Sequence, residues 1–145
     1  MTDTSSSTRT SGGRTGAALA LAVVVATAGA GIANTAVSLI ARAAGVSDDF
    51  PPLWPSAYLP STLIGVLAGA IGWHVVRRRA GDPAAVLRWL VPTVVAVSLV
   101  PDIATGIAGN QPATSWGGVA ALMSMHVVVA AVAVPVYRRF LPLDA

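Results

Sequence analysis

The sequence has no cysteine, no lysine and no glutamate. Without cysteine there are no disulfides, thiolate metal sites, thiol redox chemistry or S-lipidation. Without lysine and glutamate, every cationic side chain apart from histidine is arginine and every anionic one is aspartate. Charge of either sign is scarce. Charged residues make up 10% of the 145, and hydrophobic residues 54%. A soluble domain carries about a quarter charged residues. The wealth of Ala, Val, Gly and Arg fits a GC-rich bacterial genome. The net charge of +3 does not indicate a nucleic-acid binder. The Arg residues cap apolar blocks and do not form a basic surface.

The apolar residues fall into four long blocks with short polar punctuation, which is the pattern of membrane-spanning helices. The expected fold is all-α: a polytopic membrane protein with four transmembrane helices at about 17–44, 59–76, 83–108 and 116–137. Residues 17–140 form a single domain, because the loops are too short to fold alone. Residues 1–16 are Ser, Thr and Gly with Arg9 and Arg14, and read as a disordered tail. Residues 141–145 read as a second, short tail. Each block can cross a hydrocarbon core of about 30 Å. A rival reading makes Ala17–Thr27 the core of a signal peptide cleaved after Ala28-Gly29-Ala30. Against it, apolar sequence continues through Ile32, Val37, Leu39 and Ile40.

Punctuation between the blocks is specific. Gly45 to Tyr58 contains Pro51, Pro52 and Pro55, and predicts an extended, proline-rich loop. Asp82-Pro83 predicts an N-cap followed by proline at the first helical position. Pro92 and Pro101 interrupt the third helix, and Thr114 or Ser115 caps the fourth. Arg9, Arg14, Arg77, Arg78, Arg79, Arg88, Arg138 and Arg139 all fall at one side of this layout; only Arg42 falls at the other. The positive-inside rule then predicts cytoplasmic termini and a cytoplasmic turn between the second and third helices; the expected location is the plasma (inner) membrane. Aromatic belts are expected at the same two levels, with Trp54, Tyr58 and Trp116 outside and Trp73, Trp89 and Tyr137 inside.

Helices in lipid associate through close backbone approach and interhelical hydrogen bonds. Gly65, Gly69 and Gly72 form a candidate packing face on the second helix. It would serve either packing within the chain or a homodimer. The first helix carries Ala18, Ala22, Ala26 and Ala30 in an i+4 row that continues into Asn34 and Ser38.

Ionisable groups at membrane depth are costly and point to function. At 1.5 Å per residue, Asn34 lies about 13 Å, Asp102 about 9 Å and His126 about 13–15 Å below the outer ends of their helices. A polar cluster of Asn34, Asp102 and His126, with Ser98 one turn before Asp102, is therefore geometrically open. It reads as a proton- or cation-handling site, or as interhelical glue with Asp102 near water. His74 sits by the Arg run as an interfacial residue. Its level differs from that of His126 by about 8–9 Å, which argues against a bis-histidine haem. No catalytic constellation, cofactor fingerprint or metal-ligand spacing is present.

The run Met125-His126-Val-Val-Val-Ala130-Ala131-Val-Ala-Val-Pro135, with Asn34 and the four-block hydropathy, resembles a family of small actinobacterial four-helix membrane proteins known only as a domain of unknown function. The resemblance covers about residues 17–140. It implies the topology and directs attention to Asn34 and His126, but implies no activity. Asp102 is outside its pattern.

The expected role is a non-enzymatic accessory or self-associating bundle, with membrane lipid and a second copy or another membrane protein as partners. The alternative is a small proton- or ion-coupled transporter using Asp102 and His126. Small four-helix multidrug exporters are its analogue, although their membrane-embedded Glu has no counterpart here.

Overall fold

The computed structural model describes residues 9–143, which contain helices and no strand. The helices are α1 (Arg9–Ala43), α2 (Pro55–Arg79), α3 (Pro83–Ser98), α4 (Val100–Ala108) and α5 (Trp116–Phe140), with a 3₁₀ turn at Pro51–Leu53. Four stretches are long and apolar enough to cross a membrane: Thr15–Ala43, Pro55–Arg79, Pro83–Ala108 and Trp116–Phe140. Residues 1–8 of the expected tail lie outside the described residues, and from Arg9 onward the chain is helical.

Local chemistry sets the helix ends. Asp82 accepts a hydrogen bond from the Ala85 N–H at 2.9 Å, with Pro83 at the first helical position. Ser115, and not Thr114, caps α5 by accepting from the Gly118 N–H at 3.2 Å. α2 begins at Pro55, four residues before the expected block. Trp54 is extended, and proline is tolerated in a first turn, where its missing N–H would be unpaired anyway. Of the two prolines in the third span, Pro92 stays inside α3, whereas Pro101 ends it. Proline cannot donate to the carbonyl four residues back, and its ring clashes there. The helix therefore stops at Ser98 and restarts at Val100.

α1 packs most extensively on α5 and then on α2. Its small-residue row is the buried row: Ala22, Ala26 and Ala30 are fully buried, and Asn34 and Ser38 nearly so. α2 presents Tyr58, Thr62, Val66, Ala70 and Trp73 inward. The third span is the outlier. Of its most apolar stretch 6% is buried, against 22% in each of the other three.

Two expectations need correction. The proline-rich loop is not extended but folds inward: Phe50 and Leu53 are fully buried. The Leu53 carbonyl accepts from Ser38 Oγ at 2.9 Å and from the Arg42 guanidinium at 3.1 Å. Arg42 also pairs with Asp48, and Trp54 Nε1 donates to the Asp48 carbonyl. Three of the six aromatics expected in the belts are not surface residues. Trp54, Trp89 and Trp116 are exposed, but Tyr58, Trp73 and Tyr137 are core residues. Their polar atoms find partners inside instead of water. Tyr137 Oη donates to the Val66 carbonyl at 2.6 Å, Trp73 Nε1 donates to the Leu141 carbonyl at 2.9 Å, and Tyr58 Oη lies 3.0 Å from Thr35 Oγ1. Leu141 is thereby buried, so the expected 141–145 tail is docked at its start.

Candidate functional site

The break at Leu99 positions Asp102. It places the carboxylate in the first turn of α4, where the unpaired N–H groups of a helix start favour negative charge. From there Asp102 faces α5, and its Oδ2 lies 3.2 Å from His126 Nε2. The approach is off the direction of a hydrogen bond, and Oδ2 has no such partner among the described residues. The Asp102 side chain is 12% exposed and that of His126 42%, so the carboxylate is sheltered and the imidazole half open.

Asn34 and Ser98 make their contacts elsewhere. Asn34 is buried between helices and donates through Nδ2 to Thr62 Oγ1 on α2 at 2.9 Å. Thr62 Oγ1 itself donates to the Tyr58 carbonyl at 2.7 Å. With its proton committed, Thr62 accepts from Asn34, and this orders the amide. Asn34 Oδ1 then has no partner among the described residues. Ser98 Oγ donates to the Val95 carbonyl of its own helix at 2.7 Å. Of the four candidate residues, the structure brings only Asp102 and His126 into contact.

All four nevertheless line one crevice of about 840 Å³ between α2, the third span and α5. A volume of this order is typical of small-molecule sites. Polar groups gather towards the Asp48 end, and Leu87, Leu90 and Val91 line the part near Trp73. A smaller hollow of about 570 Å³ lies at the arginine-rich end, beside Arg88 and Arg138.

Gly65, Gly69 and Gly72 form the floor of this crevice. Within the chain this face packs little. A Cβ at Gly65 or Gly72 would meet nothing within 4 Å, and only Gly69 has a neighbour, the Tyr137 ring, at 3.3 Å. The packing row of α2 lies one residue over, at Thr62, Val66 and Ala70. The glycines where backbone and side chain come closest are elsewhere. A Cβ at Gly118 would stand 2.8 Å from the Phe50 ring, and one at Gly106 would stand 2.9 Å from the Trp116 ring.

Thr62, the partner of Asn34, was missed from the sequence. Its i+4 row with Tyr58, Val66 and Ala70 was a readable signal, masked by the neighbouring glycines. His74 is half-buried, and its Nδ1 has no hydrogen-bond partner among the described residues. No group of three His, Asp or Glu is placed to hold a metal ion among the described residues. The Asp102–His126 pair can bind a cation or exchange a proton.

A family model described as a family of unknown function (DUF6069) matches residues 14–142. No curated protein and no solved structure matches the chain.

Proposed function

The chain belongs to this family of unknown function, and from that premise we propose that it is a non-enzymatic accessory or self-associating helical bundle of the inner membrane, with both termini in the cytoplasm. The observation that carries the reading is the third span, which is 6% buried where the other three are 22%. Val94, Val97 and Ile107 on it are more than half exposed. A span held along one edge is suited to pack against a second copy or another membrane protein. The arginine asymmetry supports the orientation.

The absence of cysteine makes this reading directly testable. A single cysteine at Val97 or Ile107, in native membranes, should give a disulfide-linked dimer or an adduct with a heavier protein on oxidation. A cysteine at Val24 or Ile32, exposed on α1, serves as the collision control. Cross-linking at the third span no greater than at α1 would overturn the reading.

A second reading is favoured by one observation, the 3.2 Å approach of His126 to Asp102 in the crevice. It is a small proton- or ion-coupled transporter using these two residues. Proton-coupled uptake or efflux in sealed vesicles that is lost on Asp102→Asn would support it.

A further inference from the structure

The crevice has a one-sided hydrogen-bonding character. Ser61, Thr62 and Ser98 line it, and each donates its hydroxyl proton to a backbone carbonyl of its own helix, Ala57, Tyr58 and Val95 respectively. What these groups have left is accepting capacity. Asn34 Oδ1 and Asp102 Oδ2 are buried acceptors with no hydrogen-bond partner among the described residues. Asn34 is 1% exposed and Asp102 9%. Buried acceptors left unpaired are costly, most of all a carboxylate oxygen. The donors that remain among the lining residues are few, chiefly the His126 ring, Gln111 and the Thr105 hydroxyl. No Arg lines the crevice, and Asp102 is its one acidic residue. An anion would therefore find no permanent positive charge. A positive group carrying N–H donors would meet two oxygens that accept no hydrogen bond, one of which, Asp102 Oδ2, also faces the His126 ring at 3.2 Å.

The rest of the crevice sets the other end of the ligand. Beyond the polar groups its walls are Ile64, Leu87, Leu90, Val91 and Val94 over a glycine floor. Gly65 and Gly72 leave open space that any side chain would fill.

We propose that the crevice between α2 and the third span binds an amphiphilic primary or secondary ammonium compound, its N–H groups on Asp102 and Asn34 and its apolar body against α3. The inference rests on the second reading above for the site, but not on transport. Binding without proton-coupled movement in vesicles would remove the transporter and leave the ligand site standing.

The test uses the full chain in phosphatidylcholine nanodiscs and three fluorescent probes with one aromatic body: 2-naphthylmethylammonium, its trimethylammonium analogue and 2-naphthoate. The primary ammonium should bind saturably above empty nanodiscs. The trimethylammonium form, which keeps the charge and lacks the donors, should bind at least several-fold more weakly. Naphthoate should show no saturable binding. Asp102→Asn should weaken ammonium binding at least tenfold. Gly65→Leu, which fills open space and disturbs no packed neighbour, should weaken it similarly with the thermal midpoint unchanged. The proposal is overturned if no probe binds above empty nanodiscs, or if naphthoate or the trimethyl form binds as tightly as the ammonium. It is also overturned if both variants, folded by the same thermal criterion, bind within twofold of the parent.

Discussion

At the scale of single residues, three polar side-chain pairs join different helices among the described residues: Asn34 with Thr62, Tyr58 with Thr35, and Asp102 with His126. Side-chain pairs in membrane bundles average only about 0.6 kcal/mol. Double-mutant cycles are therefore the appropriate measurement, with unfolding in detergent as the readout. The cycle over Asn34→Leu and Thr62→Val should show coupling of about 0.5–1 kcal/mol. The cycle over His126→Leu and Asn34→Leu should be additive, since Asn34 bonds to Thr62 and not to His126. Coupling in the second cycle and none in the first would mean that Asn34 lies against His126 instead. The sequence placed Asn34, Asp102 and His126 at similar depth, because rise per residue is a local property. It did not settle their partners. The neighbour of a side chain depends on which way its helix faces, and that is decided by contacts with distant parts of the chain.

At the scale of elements, glycines that look alike in sequence divide into two kinds. Gly118 admits the Phe50 ring so closely that a Cβ would stand 2.8 Å away. Gly118→Ala should destabilise the protein by about 1–3 kcal/mol, the range for overpacking, read as a lowered thermal midpoint. Gly65→Ala meets nothing and removes a flexible residue from a helix. It should leave stability unchanged or raise it by up to about 1 kcal/mol. Equal effects of the two changes would contradict the packing described. The Gly65–Gly69 spacing suggested contact with another helix, and the structure places open space at Gly65 and the Tyr137 ring at Gly69. The motif reports that close approach is permitted, not that a neighbour is present. The helix starts at Asp82 and Ser115 were legible because capping needs only nearby residues. The inward fold of the Phe50 loop was not, because its partners Ser38 and Gly118 are remote in sequence.

At the scale of the whole molecule, the four apolar stretches were legible throughout, since length and composition alone define them. The direction of the chain across the membrane rests on the arginines. A reporter active only outside the cytoplasm should be silent when fused after Ala145 and active when inserted near Asp48. The reverse pattern would invert the proposed orientation.

The most extensive helix contact joins α1 to α5, the first span to the last. A ribosome delivers these two at opposite ends of its work. Until α5 emerges, the face of Ala22, Ala26 and Ala30 has only α2 to pack against and lacks its larger neighbour. The first helix made is thus among the last to be locked in place, so a nascent chain halted before Trp116 should leave that face more open to labelling than the finished protein does.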